Sequence, residues 1–421
     1  MRLSKYVKDI EIDKEKRMLY SIRTRQYYVY PSDKKETIET LLREVNKGKY
    51  TEAEIHILTE LIEKKILITD KEDEIKELEY EENAVKYQNN TFHIMIVVTN
   101  ACNFRCSYCI QEHENKVLND VSAQKIIRLL KNVSKDVKKI KVAWFGGEPL
   151  IQFERIRRMT EAILEICEEN HCELVSSMAT NGYLLEKSVV EELKKLKFNL
   201  LQITIDGDKA SHDSRRYMVS GEGTYDTIIE NTKHVLKAGI SVILRINIDK
   251  DSIDTADEIL EKFSTEDRKR MTVQVANLYQ ENNKISVFPI YEKAIKMGYG
   301  YSGRKNIFMA CQTCLKNGMI VNTDGNIIIC SNAEGKKELG YIDADGKIHI
   351  KDVEKYHALK TLSAIQNPEC RECIELPFCI GSCKYRRSQE NTKCIGKKSD
   401  GLSIEEYALL DYIYDKNQEE K

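Results

Sequence analysis

The chain has 421 residues, 41% of them hydrophobic, with 66 Lys and Arg against 68 Asp and Glu. That length supports two or three domains with real cores, and the balanced charge excludes a nucleic-acid or anionic-membrane surface built on bulk charge. No apolar run is long enough to cross a bilayer and the N-terminus lacks an apolar signal segment, so no membrane partner and a cytoplasmic location are expected. In that reducing compartment the 13 Cys point to metal or redox sites rather than disulfides.

Residues 1–70 read as a small unit of their own. Residues 18–22 and 27–30 are short β-like runs, and 36–45 and 51–64 carry apolar residues at helical spacing. Thr51 with Glu54 three residues on forms a capping box, and Leu67 and Ile68 close the unit as a strand. This order resembles the winged-helix-like element that binds leader peptides in peptide-maturation enzymes. The bland alternative is an N-terminal packing extension. Residues 71–91 read as a linker, the acidic stretch 70–83 being exposed helix or loop.

From Phe92 the pattern becomes alternating strands and helices, which predicts an α/β domain over 92–300 with a parallel sheet. Strands are expected at 94–98, 141–145, 174–178, 200–205, 241–248 and 271–275. Helices are expected at 122–133, 153–168, 186–196, 225–237 and 253–263.

Three thiols follow the first of these strands at spacing C-x3-C-x2-C: Cys102, Cys106 and Cys109, with Tyr108 before the last. Three close thiolates can hold three irons of a four-iron cluster and leave the fourth open. A zinc knuckle or a chance group of buried thiols is the alternative. The triplet resembles the signature of the radical S-adenosylmethionine enzymes. The resemblance implies a partial (βα)6 TIM-like barrel and an open iron that chelates S-adenosylmethionine. It also implies reductive cleavage to a 5′-deoxyadenosyl radical, with electrons from a flavodoxin- or ferredoxin-type donor. In that reading Cys102, Cys106 and Cys109 are the catalytic cluster ligands.

Gly146, Gly147, Glu148 and Pro149 end the second strand and resemble the family's motif for the amino group of the cofactor. Thr180, Asn181 and Gly182 end the third. Thr204, Asp206 and Gly207 end the fourth, with Thr204 offering a hydroxyl to the cofactor. Tyr108, Gly146, Gly147, Glu148 and Thr204 are therefore the candidate cofactor-binding residues. His212, Asp213, Arg215 and Arg216 follow in a loop where Arg216 can pair with an anion. Their alternative reading is loop capping and surface ion pairing. Arg245 and Asn247 on the next strand are expected to face inward by alternation.

Eight Cys lie between Cys311 and Cys394. Cys311-x2-Cys314, Gly325-x4-Cys330, Cys370-x2-Cys373-x5-Cys379-x3-Cys383 and Cys394 resemble the SPASM domain, the auxiliary-cluster module of many radical enzymes, expected here over 301–421. The resemblance implies one cluster on Cys311, Cys314, Cys330 and Cys383 and a second on Cys370, Cys373, Cys379 and Cys394, making three 4Fe-4S clusters in all. Four-thiolate zinc is the alternative. Cys167 and Cys172 read as buried structural thiols.

Together these resemblances imply an oxidoreductase that abstracts hydrogen from a ribosomally made precursor peptide bearing a leader sequence. An oxidative cross-link is expected, a thioether first. Carbon–carbon or carbon–oxygen linkage, epimerisation, and formylglycine formation in a sulfatase are alternatives, as is a non-catalytic metal scaffold.

Overall fold

The structure is a computed structural model that describes residues 1–278, 284–301, 311–331, 338–381, 383–389, 394 and 401–419. The chain begins with β1 (Arg2–Leu3), β2 (Val7–Glu11), β3 (Lys16–Ser21) and β4 (Tyr27–Pro31). Helices α1 (Lys35–Arg43) and α2 (Glu52–Glu63), β5 (Leu67–Ile68) and α3 (Glu74–Lys86) follow. β2, β3 and β4 form an antiparallel sheet, and β1 pairs with β5. The Thr51–Glu54 capping box starts α2 as expected. Two strands were not legible: β1 is only two residues long, and β2 buries Ile10 alone among its five residues.

The stretch read as a linker is helix α3, and it is not simply solvated. Glu74, Ile75, Leu78, Glu82 and Lys86 are all buried on it. The charged members escape a periodicity argument because they are buried as partners: Glu74 accepts from Arg2, Ser4 and the backbone N–H of Lys5, and Lys86 pairs with Glu82 at 2.8 Å.

The next stretch contains β6 (Thr91–Thr99), α4 (Asp120–Val133), β7 (Lys139–Gly146), α5 (Phe153–Glu169), β8 (Glu173–Thr180), α6 (Lys187–Lys195) and β9 (Phe198–Thr204). It continues with α7 (Lys209–Arg215), α8 (Tyr225–Lys237), β10 (Ser241–Ile248), α9 (Thr265–Arg268), β11 (Met271–Asn277), α10 (Phe288–Lys296) and β12 (Gly300–Tyr301). All six expected strands form and pair in parallel in chain order. The helix expected over 253–263 is instead two 3-10 turns before α9. Asp249 explains this locally: its carboxylate accepts from the N–H groups of Asp251 and Ser252 and from the Ser252 hydroxyl, competing with helical pairing.

The last stretch adds β13 (Gly318–Val321), β14 (Asn326–Ile328), β15 (Glu338–Ile342), β16 (Ile348–Ile350), α11 (Val353–Thr361), α12 (Pro368–Arg371), α13 (Leu376–Cys379), α14 (Lys384–Gln389) and α15 (Ile404–Glu419). β13 pairs in parallel with β6, so one ladder of 11 strands runs β12-β11-β10-β9-β8-β7-β6-β13-β14-β15-β16 and crosses residue 301. Its ends, β12 and β16, are not paired with each other.

Along β7 to β11 burial alternates strictly near the C-terminal ends. Val142, Trp144, Met178, Leu201, Ile203, Leu244 and Ile246 pack with α4, α5, α6 and α8 into the main core. The opposite face is half-open and polar, carrying Ser177, Gln202, Thr204, Arg245, Asn247 and Gln274. A sheet buried equally on both faces would read as continuous apolar runs. This one keeps a polar, half-buried face opposite its core.

The N-terminal sheet does not stand apart. Tyr6, Ile10, Met18, Tyr20 and Ile22 share one core with Ile365, Leu376, Phe378, Ile404 and Tyr407. Leu19 and Tyr30, on the other side, pack with α1 and α2. Among the described residues no helix is long and apolar enough to cross a membrane.

Candidate active site

β6 ends at Thr99 and releases the loop that carries Cys102, Cys106 and Cys109. Two neighbouring segments clamp this loop through backbone bonds. On one side the N–H of Gly147 donates to Thr99 O and that of Glu148 to Ala101 O, each at 2.9 Å. On the other, the N–H groups of Arg105 and Ser107 donate to Tyr217 O and Arg215 O, and Val219 N–H donates to Asn103 O. Gly146 and Gly147 permit the first clamp. A Cβ on Gly147 would lie 2.4 Å from Ala101 O, and one on Gly146 2.3 Å from Thr99 O. The close approach that glycine allows here is of the thiol-bearing loop itself.

Cys102 and Cys106 are partly buried and Cys109 is exposed. Burial pushes the Cys102 thiol up to about 11, with Glu148 and the other two thiols adding to the rise. Burial also raises Cys106, and the Arg216 guanidinium opposes it. Mutually repelling thiols at the end of a strand suit a cationic metal group, which stabilises the thiolate form. Among the described residues no three His, Cys, Asp or Glu side chains converge as ligands of a single metal ion. A cluster binds one thiolate per iron and so spreads its ligands further apart. His113, which sequence reasoning did not single out, places Nε2 3.5 Å from Cys109 Sγ.

Glu148 is fully buried, and burial raises its carboxyl. It accepts from Asn181 N–H at 2.7 Å, Thr180 Oγ1 at 2.8 Å and Leu150 N–H at 3.0 Å. The carboxylate thus braces the ends of β7 and β8, and the Asn181 side chain it positions donates to Asn103 Oδ1 at 2.8 Å. Thr204 lies half-buried at the end of β9, in register with Arg245.

Tyr108 is the hub of the site. Its phenol donates to Asp206, and its oxygen accepts from Arg216 Nη1 at 2.8 Å and Asn247 Nδ2 at 3.2 Å. The Arg215 guanidinium lies 5.0 Å over its ring. Asp206 accepts Asn247 N–H at 2.8 Å, and Arg245 Nε donates to Asn247 Oδ1 at 3.0 Å. Arg216 is 6% exposed and also stacks 5.7 Å over Phe104.

His212 and Asp213 support this hub from behind. Asp206 N–H donates to His212 Nδ1, so Nδ1 is the acceptor and the proton sits on Nε2, 3.1 Å from Thr224 Oγ1. Thr224 Oγ1 then donates to Arg216 O at 2.7 Å. Burial and the neighbouring Arg216 and Arg215 hold His212 well below its ordinary value, hence neutral. Asp213 accepts the N–H groups of Thr224 and Tyr225 and caps α8. For these two residues loop capping is what the structure supports. Arg216 instead faces the thiols.

The C-terminal thiols fall into neighbouring groups. Cys311 and Cys314 share a turn, Cys314 N–H donating to Cys311 O at 2.8 Å. Thr313 Oγ1 donates to Ile329 O, which brings that turn beside Cys330. Cys370 and Cys373 share another turn, and α13 ends at Cys379. Buried Arg387 of α14 places Nη2 3.3 Å from Cys370 Sγ. Cys394 is exposed. Cys167 is buried and Cys172 partly so, with the two side chains in contact at the end of α5.

Comparison with known proteins agrees with this architecture. TigE of Paramaledivibacter caminithermalis, a radical SAM cyclopropyl synthase, is 24% identical over 90% of this chain and 89% of its own. The structure of anSMEcpe with bound AdoMet and Cp18Cys peptide superposes with a TM-score of 0.57 at 18% identity, over 79% of this chain and 100% of the other. That of Streptococcus suis SuiB bound to its precursor peptide SuiA gives 0.55 at 16% identity, over 95% and 100%. The model of the radical SAM superfamily matches residues 96–320, more than half of the chain, from within β6 to within β13. This chain belongs to the radical SAM superfamily.

Proposed function

We propose that this protein is a peptide maturase that binds S-adenosylmethionine at the Cys102, Cys106 and Cys109 loop and introduces an oxidative cross-link, a thioether first, into a ribosomally made precursor. A bound cluster and S-adenosylmethionine would supply a carbon radical that removes hydrogen from an unactivated C–H bond. The chain's own residues do the rest. Gly146 and Gly147 let the loop seat against β7, and Glu148 fixes Thr180 and Asn181 at its rim. Tyr108, Asp206 and Arg216 lock the loop to β9. Thr204, Arg245 and Asn247 line the half-open inner face where a peptide segment would lie.

The observation that carries the peptide reading is the N-terminal sheet. Among the described residues β2 and β4 each pair with β3 alone, leaving edges on which an extended leader can add as a strand. The same sheet shares its core with the cysteine-rich segment, so a bound leader would sit on the body that carries the auxiliary thiols. Cys311, Cys314, Cys330 and Cys383, and Cys370, Cys373, Cys379 and Cys394, are assigned one auxiliary cluster each. These would take the electron from the substrate radical or ligate a substrate thiol.

The test is anaerobic incubation of reconstituted protein with reductant, S-adenosylmethionine and a leader-bearing peptide. A cross-linked product lighter by two hydrogens, formed with 5′-deoxyadenosine and absent from the Cys106→Ala protein, is expected. Failure to release 5′-deoxyadenosine would overturn the reading. Conversion of a single Cys or Ser to formylglycine would replace it by sulfatase maturation.

A further inference from the structure

A second concentration of buried charge lies behind the Cys311–Cys314 turn, far along the chain from the thiol loop. Lys86 at the end of α3, Lys360 in α11 and Lys384 at the start of α14 are 1%, 7% and 6% exposed. Among the described residues Glu82, 4% exposed, is the single carboxylate bonded to Lys86 and Lys384. Lysine is almost never buried to this degree unless paired, because its ammonium loses its hydration. Here Lys86 and Lys384 share one carboxylate and Lys360 bonds backbone carbonyls alone, so among the described residues two positive charges are left without a counter-charge.

Each lysine is held beside a thiol-bearing segment, Lys86 through its carbonyl, which accepts the Lys316 N–H at 2.8 Å. Lys360 Nζ donates to the carbonyls of Leu315 and Gly318, at 2.5 and 2.8 Å, immediately after Cys314. Lys86 Nζ donates to Leu362 O at 2.7 Å and to Glu82. Lys384 follows Cys383 directly and donates to Ile380 O at 2.6 Å and to Glu82. Each ammonium has three N–H donors and meets two acceptors among the described residues. The site is built for an anion that the side chains themselves do not provide.

A cubane held by four thiolates carries a net charge of about −2 in its oxidised form, and its potential follows surrounding charge and hydrogen bonds to sulfur. We propose that Lys86, Lys360 and Lys384 are the counter-charges of the cluster on Cys311, Cys314, Cys330 and Cys383, and make it the more readily reduced of the two auxiliary clusters. This rests on the assignment of the C-terminal thiols to clusters. The contrast with the second group is in the same structure: there one buried guanidinium, Arg387, faces Cys370, and the neighbouring positions in the chain carry three acids, Glu369, Glu372 and Glu375, against one cation, Arg371. An electron leaving substrate would settle on the lysine-backed site.

The test is an electron paramagnetic resonance titration of the full-length reconstituted protein, with iron, sulfide and zinc determined on the same samples. In Lys360→Met, removal of one positive charge should move one auxiliary midpoint potential to more negative values. The other auxiliary cluster and the cluster of the Cys102 loop should stay in place. Lys86→Gln, whose ammonium bonds only one carbonyl and Glu82, should shift the same signal and serves if Lys360→Met loads poorly. Full iron with unmoved potentials in both variants would overturn the lysine assignment and leave the clusters standing. Zinc, or no metal, at the C-terminal thiols of the wild-type protein would overturn both.

Discussion

The phenol of Tyr108 donates to the carboxylate of Asp206, which joins the residue before the last thiol of the loop to the end of β9, 98 positions later in the chain. Arg216 closes the triangle by donating to the phenol oxygen, so a cation and an anion buried in the sheet are both satisfied through one hydroxyl. Tyr108→Phe removes that hydroxyl and leaves Asp206 and Arg216 each short of a partner. A buried group stripped of its partner costs about 1–3 kcal/mol. Anaerobic urea melts should show a loss of that size, with iron content retained.

Glu148→Gln keeps the shape of the brace but turns an acceptor into a donor against Asn181 N–H or Thr180. With one buried charged bond lost, at about 1.5–3 kcal/mol, 5′-deoxyadenosine formation should fall on the order of tenfold to a hundredfold. Glu148→Asp, which retains the charge but cannot span both strand ends, should recover little of it. Initial rates at saturating S-adenosylmethionine check both variants.

Gly147→Ala places a methyl 2.4 Å from a backbone carbonyl that cannot rotate away. The thiol loop has to leave its clamp. The expected outcome is loss of the signal that S-adenosylmethionine perturbs, with the iron of the C-terminal thiols unchanged. Metal analysis and resonance spectra of the two proteins decide it.

His212 and His93 are both held neutral by burial, His93 at about 4. The unfolded chain takes up a proton on each near the ordinary value of about 6.5, while the folded chain refuses it. Stability is therefore complete above about pH 6.5 and is lost as pH falls below it, at about 1.4 kcal/mol per unit for each histidine. For His93 the loss levels off near pH 4. His212→Asn should reduce the slope by one proton between pH 6.5 and 5.5. Unfolding midpoints across that range measure it.

Asp411 of α15 receives the Arg25 guanidinium and, at 2.6 Å, the Tyr20 hydroxyl, all three nearly buried. Asp411→Ala strands the Arg25 charge and should cost about 3–5 kcal/mol. Limited proteolysis should then release the N-terminal sheet first. Deleting residues 1–70 outright would uncover Phe378, Ile404 and Tyr407, so the whole chain should lose solubility. Leader binding is therefore better tested by charged substitutions along β2 and β4.

The local structure of this protein was legible in its sequence because it is written in short spacings. A thiol triplet after an apolar strand, two glycines at the next strand end, and alternating strands and helices over 92–275 each need only neighbours to be read. The capping box at Thr51 and the six strands were legible for the same reason. What the tertiary structure decided concerns groups whose meaning depends on distant partners. Charges mark α3 as surface until Glu74, Glu82 and Lys86 are seen paired inside. Nothing near Lys86, Lys360 or Arg387 announces a buried cation, since their partners lie 276, 45 and 17 residues away in the chain. Periodicity reports which face is apolar, whereas the worth of a charge is set by whatever removes its water, and that is known only once the chain has closed around it.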